Sequence, residues 1–395
     1  MPAAAKKRPA AKKAPAKKAA PRRPAAKSPR RVLEEAAAAT TSPASRRALL
    51  EAPGEPEEPS ARPASDYFAQ TEKEGVEFLT SGCTIIDCVV GGGWAMGRVV
   101  NIVGDKSAGK TLLAIEACAN FDRQYPDGYM RYGEAEAAFD QKYAEALGLP
   151  EGRVDFNGSN PDKGLDTVED FFEDMNRCLD KHGDKPMLYI LDSLDALSDA
   201  AEAGREIDEG SFGANKAKKM GELFRRLVRR IEESRCLLII ISQLRDKINV
   251  TFGEKQTRSG GRALDFYASQ VVWLADVGKL TKEIGGVKRV VGNDVKLRCK
   301  KNKVGLPFRE CEYPVIYGYG VDDMAANVQW LLEVKRGERL KEVGMSEAGY
   351  KVRIGNLRNK GGPEAASVRE KLNRIVRDEW TKIETKFLPQ SRKYG

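Results

Sequence analysis

Eight consecutive residues carry the most specific chemistry in this chain: Gly104-Asp105-Lys106-Ser107-Ala108-Gly109-Lys110-Thr111, a G-x-x-x-x-G-K-T pattern. Its two glycines let the backbone curl so that successive N–H groups converge on an anion. A helix starting there adds the partial positive charge of its N-terminus. Lys110 then reaches the β- and γ-phosphates, and the Thr111 hydroxyl holds Mg²⁺. A glycine-rich turn before an ordinary helix would share the pattern but not its surroundings. Residues 98–103 form a short apolar run that predicts a buried strand, and residues 112–118 carry apolar side chains at helical spacing. Strand, loop and helix in that order imply binding of a nucleoside triphosphate such as ATP.

Three further positions extend this chemistry. Residues 186–193 are an apolar run ending in Asp192. Desolvating a carboxylate there needs compensation, which Mg²⁺ shared with Thr111 and water supplies. The competing role for this turn is a helix N-cap, which Ser193 could equally provide. Glu134 and Glu136 follow an apolar run at 129–132. At the C-terminal rim of a doubly wound sheet such an acid can orient an attacking water, although a pair of solvated surface acids would read the same. Gln243 ends the run 236–243, where its amide can hydrogen-bond a γ-phosphate or satisfy backbone. Residues 244–261 lack periodicity and contain three glycines, so they read as a long functional loop. Arg245, Lys247, Lys255 and Arg258 surround Phe252 there, a mixture suited to phosphates and to wedging or stacking bases.

The elements that position these residues follow from periodicity. Strands are expected at 98–103, 129–132, 186–193, 236–243, 270–275, 294–300 and 312–317, and helices at 85–90, 139–147, 166–182 and 216–234. Strands alternating with helices, apolar throughout, predict an α/β fold with a mainly parallel sheet flanked by helices. The closely spaced last strands predict antiparallel additions at one edge. The hydrophobic content of 41% is ample for a core but unevenly spread. Residues 1–31 hold twelve Lys or Arg and no acid, so removing that +12 from the chain's +9 leaves −3 over residues 32–395. This low-complexity tail predicts disorder over 1–31, residues 32–40 and 43–52 could form short helices, and 53–65 read as Pro/Glu-rich linker, so 1–65 is expected as a disordered basic tail and linker. The tail solubilises, and its uninterrupted charge favours nucleic-acid phosphates; a nuclear localisation signal would look the same. A core is expected over 66–324 and a small helical region over 325–395. Seven scattered cysteines without a C-x-x-C pair read as buried thiols of a reducing compartment. His182 is the only histidine, which excludes Ser-His-Asp triads and histidine metal sites as the main chemistry. No apolar run is long enough to span a membrane, and the N-terminus lacks the apolar core of a signal peptide, so a soluble cytoplasmic protein is expected.

Several separated motifs, in order, resemble the RecA-like DNA recombinases, including their phage-encoded branch, and imply a RecA-type ATPase core. They are Phe78-Leu79-Thr80-Ser81-Gly82 running on to Gly97-Arg98-Val99-Val100, then Ile241-Ser242-Gln243-Leu244-Arg245 through Thr251-Phe252-Gly253. Ser259-Gly260-Gly261-Arg262-Ala263-Leu264-Asp265-Phe266-Tyr267 is the most specific, and Lys301-Asn302-Lys303 with Pro307-Phe308 follows. The resemblance implies that Glu136 activates water, that Asp140 and Tyr143 hold the adenine, and that Gln243 couples the γ-phosphate to a DNA-binding loop. Lys301 and Lys303 would act in trans on the neighbouring subunit's nucleotide. A first DNA-binding loop would lie near 204–213, with Lys218 and Arg225 on the basic helix after it facing DNA. Arg245, Lys247, Phe252, Arg258, Gly260 and Gly261 would complete the DNA-binding set. The Pro/Glu linker replaces the family's N-terminal docking element, for which only 43–52 or 66–70 could substitute, and the chain past Val321 departs from the usual bacterial C-terminal domain.

The function implied is an ATP- and Mg²⁺-dependent recombinase. It would form a helical homo-oligomeric filament on single-stranded DNA and pair that strand with duplex, helped by single-strand-binding and loader proteins. Its setting would be a bacterial nucleoid or a phage-infected cell. The alternatives are a RecA-fold helicase, motor or recombination regulator built as a closed ring, and an architectural DNA-coating protein working through its tail.

Overall fold

Alternation along the central strands sorts their side chains into two apolar clusters, one on each face of a sheet. Val100, Ile102, Leu188, Ile190, Leu237 and Ile239 enter one cluster. Their immediate neighbours Val99, Val103, Tyr189, Leu191, Leu238 and Ile240 enter the other. The structure, a computed structural model, describes residues 75–136, 139–149, 152–158, 164–198, 213–246, 256–258 and 261–389, with 391 and 393. The tail and linker over 1–65 lie outside the described residues, as do 199–212.

In chain order the elements begin with β1 (Phe78–Leu79), α1 (Thr84–Val90), β2 (Trp94–Ala95), β3 (Val99–Gly104) and α2 (Lys110–Gln124). Next come β4 (Tyr129–Glu134), α3 (Gln141–Ala146), β5 (Val154–Asp155), α4 (Val168–His182) and β6 (Met187–Asp192). Helix α5 (Gly213–Glu233), β7 (Cys236–Asp246), β8 (Gln256–Arg258), α6 (Gly261–Tyr267), β9 (Gln270–Ile284) and β10 (Val287–Asn302) follow. The chain continues through β11 (Glu310–Ile316), β12 (Gly320–Val321), α7 (Asp323–Glu333), a 3-10 turn (Gly337–Val343), α8 (Tyr350–Lys360) and α9 (Gly362–Thr385).

The large sheet runs β12-β11-β10-β9-β3-β7-β6-β4-β5, with β8 paired to β7 off that path. From β9 to β5 all neighbours are parallel, and β9 to β12 are antiparallel. The fold is therefore the α/β arrangement expected, with its antiparallel strands at one edge.

Two stretches differ from expectation. Residues 244–261 are not wholly loop: Leu244, Arg245 and Asp246 continue β7 and pair with Arg258, Thr257 and Gln256 of β8. A three-residue ladder of mostly polar side chains carries no period-2 apolar signal. Strands β9 and β10 likewise run far past 270–275 and 294–300, joined by Gly285 and Gly286 at φ 60° and 76°. Two positive φ values in a two-residue loop are the twist-matched hairpin turn. Its charged, exposed arms carry no apolar run that would mark them as strands. At the start of β9, fully buried Gln270 accepts from Ala95 N at 3.0 Å and donates to Val90 and Gly93 oxygens at 2.9 and 2.8 Å, which ties the α1–β2 turn to the sheet.

Helices α7, α8 and α9 bring Leu331, Leu357, Leu372 and Trp380 into the same apolar cluster as Ile85 of α1 and Val100 of β3. Asp322 caps α7 by accepting from Ala325 N and also pairs with Arg358 of α8. All seven cysteines are free and buried, and no described helix is long and apolar enough to cross a membrane.

Two consequences for stability follow. Arg131 on β4 pairs with Asp174 on α4 at 2.8 Å, with side chains 4% and 8% exposed, and Tyr189 donates to the same carboxylate oxygen at 2.7 Å. Removing one partner strands a buried charge, so Arg131→Ala should cost about 3–5 kcal/mol in urea unfolding. Asp87 of α1 is buried, and desolvation pushes its carboxyl up to about 6 against hydrogen bonds from Ser81 and Thr80. A folded value above the unfolded one gives stability that is complete below about pH 4 and lost as pH rises through 6. Wild type should therefore lose unfolding free energy relative to Asp87→Asn between pH 4.5 and 7, read from urea midpoints at each pH.

Candidate active site

Strand β3 ends at Gly104, and the chain turns over residues 105–109 before α2 begins at Lys110. A Cβ on Gly104 would stand 2.9 Å from the Leu274 carbonyl oxygen of β9 and 3.3 Å from Ala108 Cβ, so only glycine fits. Ser107 and Gly109 adopt φ 61° and 85°, and no side chain caps α2. Asp105, Lys106 and Ser107 are exposed while Ala108 is buried. The turn thus presents backbone N–H groups and an uncapped helix N-terminus, an anion cradle.

Lys110 is 8% exposed and donates from Nζ to the Asp105 carbonyl at 2.7 Å. Burial pulls its ammonium below the ordinary lysine value, opposed by Asp192, Glu136, Asp195 and Asp105 in turn. Thr111 Oγ1 donates to Asp192 Oδ2 at 2.8 Å, and Tyr132 OH donates to the same oxygen at 2.8 Å. Burial raises the Asp192 carboxyl above its usual range, and the Thr111 and Tyr132 hydrogen bonds oppose that. A hydroxyl and a carboxylate are hard oxygen donors of the kind Mg²⁺ takes when water and phosphate complete its shell. Among the described residues no group of three His, Cys, Asp or Glu side chains could hold a metal ion. A cation at Thr111 and Asp192 would need the nucleotide's own oxygens.

At the neighbouring rim, Glu136 is the meeting point. Ser193 Oγ donates to Glu136 Oε1, and Gln243 Nε2 donates to the same oxygen at 2.8 Å. Residues 193–196 form a turn and no helix begins directly after Ser193, so its hydroxyl serves Glu136 rather than an N-cap. Glu134 ends β4 and accepts from Phe139 N at 3.0 Å, which closes the following turn. Asp140 caps α3 by accepting from Tyr143 N at 3.0 Å, and Tyr143 is half-buried against the apolar cluster. Helix α3 is therefore shorter than the 139–147 expected, because its cap is Asp140.

Other candidates lie elsewhere. Lys301 and Lys303 each donate to the Phe266 carbonyl at 3.0 Å, at the C-terminus of α6. Lys301 pairs with Val271, and Gln270 pairs with Val100 near the start of β3. The phosphate loop leaves the other end of that strand, about 13 Å away at ~3.3 Å per residue. The structure does not bring these lysines to the phosphate loop of their own chain. Lys218 and Arg225 are exposed on α5, seven residues apart and so on one helix face. Lys216 instead holds the Leu194 and Leu197 carbonyls, and Lys219 lies 3.8 Å from Glu169. Arg245 and Arg258 sit on the β7–β8 ladder and Gly261 opens α6. Lys247, Phe252 and Gly260 lie outside the described residues.

Sequence reasoning missed Tyr132 and Asp195. The only signal for Tyr132 was a polar tip within an apolar run. Nothing marked Asp195, whose carboxylate accepts from Gln243 N at 2.6 Å. The cradle geometry predicts that Gly104→Ala, by displacing the loop from Leu274, weakens ATP binding at least about tenfold in a fluorescent-nucleotide titration.

Comparison with known proteins agrees with this geometry. A family model described as the RecA N-terminal domain matches residues 64–322. Protein RecA of Chloroherpeton thalassium is 35% identical over 263 residues, covering 66% of this chain and 69% of its own length. Protein RecA of Streptomyces venezuelae is 36% identical over 256 residues, covering 63% and 62%. That of Allochromatium vinosum is 36% identical over 247 residues, covering 62% and 67%. The matches thus span 62% to 69% of these three relatives' lengths. With the family model covering well over half of the sequence and these relatives agreeing, the chain belongs to the RecA-like DNA recombinase family.

Proposed function

We propose that this protein is an ATP-dependent recombinase that assembles on single-stranded DNA, pairs it with homologous duplex and exchanges strands. The observation that carries the reading is the contact of Gln243 with Glu136. It joins the rim where a γ-phosphate would sit to the strand that runs on into the β7–β8 hairpin. Lys110 and the 104–109 backbone bind the phosphates, and Asp140 and Tyr143 hold the adenine. Mg²⁺ held by Thr111 and Asp192 would neutralise charge on the β- and γ-phosphates. Glu136, steadied by Ser193, orients the attacking water. Gln243 reports loss of the γ-phosphate to the DNA-binding segment formed with Arg245, Lys247, Phe252, Arg258, Gly260 and Gly261.

Strand exchange itself needs no covalent protein chemistry, only DNA affinity that differs between the ATP and ADP states. Lys218 and Arg225 add phosphate contacts that weaken with salt. Lys301 and Lys303, remote from their own loop, suit the nucleotide of an adjacent subunit in a helical filament. In this reading the recombinase core spans 66–324 and the helical region 325–395 packs on it. The basic tail adds nucleic-acid affinity, and single-strand-binding and loader proteins assist in the cytoplasm.

ATP hydrolysis measured with and without single-stranded DNA tests the reading. Stimulation of at least about tenfold in wild type, lost in Lys110→Ala, is expected. Hydrolysis indifferent to DNA, or closed rings by electron microscopy, would move the protein to the motors and regulators. A mixing experiment tests action in trans. Lys110→Ala and the double variant Lys301→Ala/Lys303→Ala should each be inactive alone and regain DNA-stimulated hydrolysis when combined, because mixed interfaces join an intact loop to intact lysines.

A further inference from the structure

Gln243 is held twice, by its side chain on Glu136 and by its backbone N–H on Asp195 Oδ2 at 2.6 Å. The second bond fills a gap in the sheet. β6 pairs with β7 as far as Leu191 opposite Ile240, and β6 ends at Asp192. Leu194 N still reaches the Ile241 carbonyl at 3.0 Å. On the other flank β3 pairs with β7 to its last residue, Gly104 opposite Gln243. The amide of Gln243 therefore faces the side that β6 has left. A half-buried N–H without a strand carbonyl needs another acceptor, and a carboxylate provides a charge-assisted one.

We infer that Asp195 is a positioning residue for this ATPase. By standing in for the missing strand carbonyl it fixes Gln243 against Glu136, and it sets the direction in which β7 leaves the sheet toward β8. Lys110 bonds the Asp105 carbonyl and Thr111 bonds Asp192, whereas the Asp195 oxygen bonds the Gln243 amide, so although the Asp195 charge also acts on Lys110 the effect falls chiefly on turnover and DNA coupling. The kinetic consequence rests on the proposed DNA-coupled hydrolysis; the structural one does not.

The test uses the full chain with Asp195→Ala and Asp195→Asn, since Asn keeps an acceptor oxygen without the charge. Hydrogen exchange across residues 240–246 should show Gln243 protected in wild type, exchanging at least about tenfold faster in Asp195→Ala, and nearly restored in Asp195→Asn. DNA-stimulated kcat should fall about tenfold in Asp195→Ala with the ATP KM changed less than about twofold, and recover largely in Asp195→Asn. Unchanged exchange and kcat in Asp195→Ala would overturn the inference. So would equal losses in both variants with KM rising in parallel, the mark of general destabilisation. If Asp195→Ala does not fold, an unprotected Gln243 amide in wild type overturns the inference, and a protected one that Asp195→Asn retains supports it. If wild type shows no DNA stimulation, the recombinase reading fails while the exchange measurements still decide the role of Asp195.

Discussion

Parallel strands deliver their C-terminal ends to one edge of a sheet, and the site depends on that register. Gly104 lies opposite Gln243 and Glu134 opposite Asp192. Four residues distant in sequence thereby end on a common rim. Shifting one strand by a single position would exchange its two faces, which the two apolar clusters resist because each accepts only alternate residues of β3, β6 and β7. The core thus sets the position of the chemistry, and one of its buried members, Tyr132, adds its hydroxyl to Asp192.

That placement has a desolvation cost, visible in the opposite displacements of Lys110 and Asp192. Each is driven toward its neutral form by burial and drawn back by surrounding charges or hydroxyls. A triphosphate with Mg²⁺, as in the proposed function, would supply countercharges to both, which is the physical sense in which this rim suits such a ligand. Glu136 differs: it is exposed, and the hydroxyl and amide of Ser193 and Gln243 hold it by geometry rather than by burial.

The same sheet separates two functions along its strands. The phosphate loop leaves the C-terminal end of β3, whereas Lys301 and Lys303 cap α6 near the N-terminal end. Under the proposed function such a chain would present a nucleotide on one side and cations on the other, an arrangement suited to repetition of the unit. The C-terminal helices pack on the core through an apolar cluster shared with α1 and through the Asp322–Arg358 pair.

The phosphate loop, the buried strands with their helices, and the acid ending 186–193 were legible in the sequence, because phosphate binding and burial each impose a short-range pattern. Position at strand ends marked Glu134, Glu136 and Gln243, and family resemblance chose Glu136 from its pair and gave it and Gln243 their roles. It did not show that they touch, since they are separated by more than a hundred residues and meet only through strand register. It could not assign Ser193 between capping a helix and serving Glu136, because that depends on where the chain goes next. The extensions of β7, β9 and β10 escaped for a different reason: strands of mostly polar residues have backbone partners but no apolar alternation. Asp195 is the extreme case. Local sequence gives an acid in a turn no special meaning, and only the tertiary fold places its oxygen against an amide that a neighbouring strand has left unpaired.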